Sequence, residues 1–123
     1  MKLRLILTIF LLLPLLSCAQ QNSSNSMSVA ELKQAMQIDS TLVLLDVRTP
    51  EELKGPLGNI EGNINIPLQE LAAKIDELSK YKNNPIAVIC RSGNRSEVAT
   101  KFLRENGFKA KNVLGGMREY NAQ

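Results

Sequence analysis

Residues 85–107 read PIAVICRSGNRSEVATKFLRENG, and the order of residue types along this stretch decides the architecture. Pro85 bounds an apolar run, Ile86 to Ile89, with the length and composition of a buried strand. Cys90 stands at the end of the run, and a polar loop with one glycine follows, Arg91-Ser92-Gly93-Asn94-Arg95. Ser96 has the chemistry of an N-cap. Val98, Ala99, Phe102 and Leu103 recur at helical spacing up to Gly107, where a C-cap belongs. The unit is therefore predicted to be strand, cysteine-headed loop, helix. Loop N–H groups and a helix N-terminus then face the thiol and favour an anion there, either a thiolate or a bound oxyanion. With Arg91 and Arg95 adding positive charge, the Cys90 thiol is expected to have a lowered pKa and to be nucleophilic. A cysteine acting only as a small buried hydrophobe would need no flanking arginines. Gly93 and Asn94 suit the positive φ of a loop folded around a central anion.

CRSGNRS after an apolar strand resembles the active-site loop of the rhodanese-like sulfurtransferases. Two further pieces agree. LLDVRTPEEL (Leu44 to Leu53) followed by GNIEGNINIP (Gly58 to Pro67) is similar to the first half of that family. NVLGGMREY (Asn112 to Tyr120) is similar to its closing segment. Three motifs in the family's order cover roughly Met27 to Gln123. The resemblance implies Cys90 as the residue that carries sulfur, with Arg91 through Ser96 as the substrate-binding loop. Asn59 and Tyr120 stand where the family often has histidine and tryptophan. Neither position carries the persulfide chemistry, so packing or acceptor access is what they would alter.

The remaining elements support one α/β domain of modest core. Ser28 begins S-x-x-E with Glu31, a capping box for a first helix on which Val29, Leu32 and Met36 share a face, after a short entry strand or turn at Met27. Leu42 to Val47 reads as a strand ending near Asp46. Thr49-Pro50-Glu51-Glu52 starts a helix with Thr49 as cap and Glu52 closing the box, broken by Gly55, Pro56 and Gly58. Ile64 to Ile66 alternates like a strand. Leu68, Leu71, Ala72, Ile75 and Leu78 mark one amphipathic helix, and Asn83-Asn84-Pro85 a turn. Val113-Leu114 is the core of a last strand, and Gly115-Gly116 the turn into a final short helix. Strands alternating with helices predict a central parallel sheet with helices on both faces, the three-layer arrangement that the resemblance also implies. Ligands of such sheets bind beyond the carboxyl ends of the strands, where Cys90, Asp46, Arg48 and Gly115-Gly116 all fall. Asp46 and Arg48 are expected to make a local hydrogen bond or ion pair and to support the site structurally.

The amino-terminal segment is of another kind. Lys2 and Arg4 precede an almost unbroken apolar run, Leu5 to Leu16, too short to span a bilayer and suited to a signal-peptide core. It ends in Leu15-Leu16-Ser17-Cys18, which resembles a bacterial lipobox. Residues 1–17 are thus expected to be a lipoprotein signal peptide, with Cys18 as the lipidated residue. Residues 18–26 would form a flexible tether, and 27–123 the domain. The expected location is the bacterial cell envelope, anchored by lipid and facing the periplasm or the exterior. Removing Lys2 and Arg4 from the 15 basic residues leaves 13 against 12 acidic, a balance that calls for no nucleic-acid partner.

Two cysteines in the chain, one of them acylated, leave Cys90 unpaired and potentially reactive. The chain has no histidine, which excludes Ser-His-Asp and Cys-His nucleophiles and histidine metal sites. One free cysteine builds no zinc site, and no metal or other cofactor is expected. What remains is a thiolate activated by its field. Attack on the outer sulfur of a donor such as thiosulfate suits it, since sulfite leaves without needing a proton. A thiol or cyanide acceptor would then take the sulfur from a Cys90 persulfide. The protein is expected to act as a monomer. Cysteine-dependent phosphatases resemble this unit but place five residues between Cys and Arg. Here four residues separate Cys90 from Arg95, and Ser96 takes the position of their oxyanion-binding arginine. The non-enzymatic alternative is a membrane-tethered binding or redox-sensing module on the same fold.

Overall fold

A computed structural model describes residues 25–123; the expected signal peptide, Cys18 and residues 19–24 lie outside the described residues. Five strands form one parallel sheet: β1 (Ser26–Met27), β2 (Val43–Asp46), β3 (Ile64–Asn65), β4 (Pro85–Ile89) and β5 (Lys109–Val113). Their spatial order is β1-β5-β4-β2-β3, so the strand that leads to Cys90 is central. The helices are α1 (Val29–Ile38), α2 (Pro50–Leu53), α3 (Leu68–Lys74), α4 (Asn94–Glu105) and α5 (Gly116–Ala122).

A period-two pattern on the central strands divides the core into two layers. Ile86, Val88 and Cys90 of the β4 segment, with Val43 and Leu45 of β2, face Leu71 of α3 and Ala99 and Leu103 of α4. Ala87 and Ile89, with Leu44, face Val29 and Leu32 of α1 and Met117 of α5. Helices therefore cover both faces, which is why β4 is apolar without interruption. Tyr120 packs at the margin of the second layer, with the Lys33 ammonium 4.6 Å from its ring centre.

Both capping boxes are formed, Ser28 with Glu31 and Thr49 with Glu52. Four local expectations are corrected. Helix α4 begins at Asn94 with Gly93 at its N-cap (φ 105°), so Ser96 lies inside the first turn and its hydroxyl is free for another use. The amphipathic helix from Leu68 tightens after Lys74 into a 3-10 segment, Ile75–Tyr81. There Ser79 donates its hydroxyl to the carbonyl of Asp76, three residues back, and Leu78 still reaches the core. The last strand starts at Lys109, earlier than Val113, and Leu114 is exposed beyond its end. Lys109 and Lys111 on its outward positions disguise it as polar, because β1, its outer neighbour, is only two residues long. Finally, Ser26 pairs with Asn112, so the sheet takes in the last residue of the expected tether.

Candidate active site

Cys90 follows β4 directly and is 1 % exposed. Its loop turns back at once, so that backbone N–H groups point inward. Gly93 N donates to Sγ at 3.1 Å and Ser96 N at 3.4 Å, while the Ser96 hydroxyl lies 3.2 Å from Sγ. Only a residue free to take positive φ completes this turn: a side chain on Gly93 would also press on the backbone N of Gly115. Burial pushes the thiol pKa up, but the Ser96 hydroxyl and the N–H groups of Ser96, Gly93 and Ser92 together outweigh it. The net direction is downward, toward the thiolate.

The loop is clamped from its other side by the start of α5. Met117 N donates to the carbonyl of Cys90 at 2.8 Å and Arg118 N to that of Arg91 at 3.0 Å. This requires close backbone approach at Gly116 (φ 57°), where an added Cβ would fall 2.5 Å from the Cys90 carbonyl oxygen. Gly115-Gly116, read from the sequence as a turn, thus fixes the position of Cys90.

The two loop arginines differ. Arg95 is half-buried and bidentate to Glu52, Nη1 to Oε2 at 2.8 Å and Nη2 to Oε1 at 2.7 Å. The Arg95 guanidinium holds the Glu52 carboxyl down at about 2, against the opposing effect of burial, with the Thr49 N–H helping. Glu52 in turn raises Arg95 further above its ordinary value. Arg91 is exposed and lines a cleft of about 370 Å3 with Arg48, Glu52, Leu57 and Arg118. Ser92 and Asn94 are exposed on the other flank, at a broader groove of about 920 Å3 that also reaches Asn112.

Asp46 and Arg48 are each 1 % exposed and form an ion pair, Nη2 to Oδ2 at 2.7 Å. Asp46 also accepts from the Arg48 backbone N, and Arg48 reaches the carbonyl of Gly58 at 2.9 Å. Every oxygen of the pair is engaged locally, which ties the segment after β2 to the Gly58 turn. Sequence reasoning placed Cys90, the loop, Asp46 and Arg48 at this end of the sheet, and the structure brings them there. It did not single out Asn112, Glu52 as the partner of Arg95, or Arg118. Glu52 was legible only as a cap, and a lone asparagine on a strand carries no sequence signal.

The rhodanese-like domain model matches residues 28–123, and the chain belongs to that family. YtwF of Bacillus subtilis, named as a sulfurtransferase, is 38 % identical over 96 residues, covering 78 % of this chain and 89 % of its own. YrkF of the same organism, named for a sulfur-carrier role, is 36 % identical over 110 residues; the match covers 85 % of this chain but only 57 % of that relative. Among solved structures, a rhodanese-related protein from Thermoplasma volcanium superposes with a TM-score of 0.70 at 36 % identity, covering 79 % of this chain and 90 % of that one.

Proposed function

We propose that this protein is a rhodanese-type sulfurtransferase that moves a sulfane sulfur through a persulfide on Cys90. The observation that carries the proposal is the convergence of the Gly93 and Ser96 N–H groups and the Ser96 hydroxyl on Cys90 Sγ. Such a cradle stabilises a thiolate and needs no neighbouring base. The Cys90 sulfur attacks the outer sulfur of a thiosulfate-like donor. The donor S–S bond breaks, sulfite leaves with the bonding pair, and the outer sulfur remains on Cys90 as a persulfide anion. A thiolate or cyanide then attacks that outer sulfur, and Cys90 leaves as thiolate, ready for the next donor. Because Cys90 is almost fully buried, the donor must present a terminal sulfur small enough to enter the loop. The names of the relatives YtwF and YrkF support sulfur transfer as the class of reaction.

Arg91, exposed at the cleft, is the donor-binding cation, and Arg95, committed to Glu52, shapes the helix start. The run ending in Leu15-Leu16-Ser17-Cys18 supports a lipid anchor at Cys18, with the domain held at the face of a bacterial envelope membrane. The full chain should partition with membranes, and Cys18→Ser should prevent its acylation and normal lipoprotein maturation. For the chemistry, thiosulfate turnover with cyanide is measured beside hydrolysis of an aryl phosphate. Sulfur transfer with the phosphate left essentially untouched is expected; robust phosphatase turnover without transfer would overturn the proposal.

A further inference from the structure

Two hydrogen bonds beyond the nucleophile stands Asn112 on β5, a side chain with no role in the reaction as described. Its Nδ2 donates to the Gly93 carbonyl at 3.2 Å, which fixes the orientation of the carboxamide and turns Oδ1 toward α4. Oδ1 accepts the Ser96 hydroxyl at 2.5 Å, the shortest bond of the site. Ser96 Oγ is also 3.2 Å from Cys90 Sγ. All three side chains are buried. A hydroxyl carries one proton, so Ser96 cannot donate to Asn112 and to Cys90 together.

We infer that Asn112 is a positioning residue that competes with Cys90 for the Ser96 proton and thereby sets how readily the thiol ionises. With the Ser96 proton on Oδ1, Oγ is an acceptor and Cys90 must be the donor. The result is a one-way chain, S–H to Oγ and O–H to Oδ1, that fits the neutral thiol. When the thiol proton leaves to water, the Ser96 hydroxyl must turn to Sγ and leave Oδ1 bare, or stay and present lone pairs to a thiolate. Either choice costs a buried hydrogen bond. The Ser96 hydroxyl lowers the thiol pKa only to the extent that Asn112 releases it.

Charged groups on the elements around the loop are Arg91 itself, Arg95, Glu97, Lys101, Arg104 and Glu105 on α4, the Asp46–Arg48 pair at and after the end of β2, Glu51 and Glu52 on α2, Arg118 and Glu119 on α5, and Lys109 and Lys111 on β5. None of these side chains bonds Ser96 or Asn112 among the described residues, so a charge effect can be separated from the switch of one proton.

The test titrates Cys90 by the pH dependence of iodoacetamide alkylation in the full chain carrying Cys18→Ser, where Cys90 is the only thiol. Asn112→Leu removes the competing acceptor and is expected to lower the midpoint by about one pH unit, the scale of one hydrogen bond. In a protein that already carries Ser96→Ala, adding Asn112→Leu should change nothing. A rise or no change with Asn112→Leu alone, or the same shift with and without Ser96, overturns the inference. Should the leucine variant fail to fold, the side-chain amide nitrogen resonance of Asn112 in the unsubstituted pair gives the answer. It is expected to titrate with the midpoint of Cys90, and a flat response overturns the inference. The inference concerns the thiol that the proposed sulfur transfer uses, but no sulfur donor enters this titration, so the two stand or fall separately.

Discussion

Arg95 faces Glu52, 43 residues earlier in the chain, and both nitrogens of its fork are taken by that carboxylate at 2.8 and 2.7 Å. Glu52 simultaneously closes the capping box of α2 by accepting from Thr49 N at 2.9 Å. One carboxylate therefore joins the helix after β2 to the helix after the cysteine loop. The charge of Arg95 is largely balanced there, which leaves the Ser96 hydroxyl and the loop N–H groups as the groups that lower the Cys90 pKa.

This pair should be visible in acid stability. The folded Glu52 carboxyl sits at about 2, below its ordinary value of 4.5. A depressed carboxyl contributes stability in full above its unfolded pKa and loses it as pH falls through the folded one. Glu52→Gln and Arg95→Ala should each cost about 1 kcal/mol at neutral pH, the scale of a half-exposed, bidentate pair. The difference from the unsubstituted protein should shrink between about pH 4.5 and pH 2. Urea unfolding across that window checks it; a difference independent of pH contradicts the pairing.

The buried pair Asp46–Arg48 should behave differently. Asp46→Ala leaves a guanidinium at 1 % exposure without its partner. The expected loss is about 3–5 kcal/mol, far beyond that of the Arg95 pair. Thermal or denaturant unfolding measures it. If the variant that still folds keeps a Cys90 alkylation rate close to the original, the supporting role holds; selective loss of sulfur transfer with full stability would make Asp46 a participant.

Gly116→Ala tests the clamp behind Cys90. The added Cβ meets the carbonyls of Cys90 and Arg91 at 2.5 and 2.7 Å, and the backbone sits at φ 57°. Strain and displacement together should cost at least about 2 kcal/mol. Because what moves is the peptide after Cys90, alkylation of Cys90 should slow as well. Unchanged reactivity in a destabilised variant would separate the clamp from the site.

Much of this was legible before the structure, for identifiable reasons. Ile86 to Ile89 is buried on both faces, so its apolar run had no polar interruption to confuse it. The two capping boxes are local patterns within four residues, and both formed. What escaped was non-local or ambiguous. A serine in the first turn of a helix resembles a serine that caps it; only the left-handed Gly93 moves the cap back and frees Ser96 for the thiol. Asn112 lies on a strand whose outward lysines hid the strand itself, and its bonds run to residues 16 and 19 positions away. The turn to 3-10 geometry after Lys74 leaves the apolar spacing of Ile75 and Leu78 intact, so periodicity alone did not reveal it.

The central claim is that sulfur rests covalently on Cys90 between donor and acceptor. The full chain carrying Cys18→Ser, fully reduced, is incubated with thiosulfate and its intact mass recorded before and after cyanide. The protein is expected to gain one sulfur atom and to lose it to cyanide with formation of thiocyanate, and neither event is expected in a protein that also carries Cys90→Ser. A reduced protein that never acquires the extra sulfur from thiosulfate or other sulfane donors, while Cys90 still reacts with iodoacetamide, would contradict it and leave a binding or redox-sensing module on this fold.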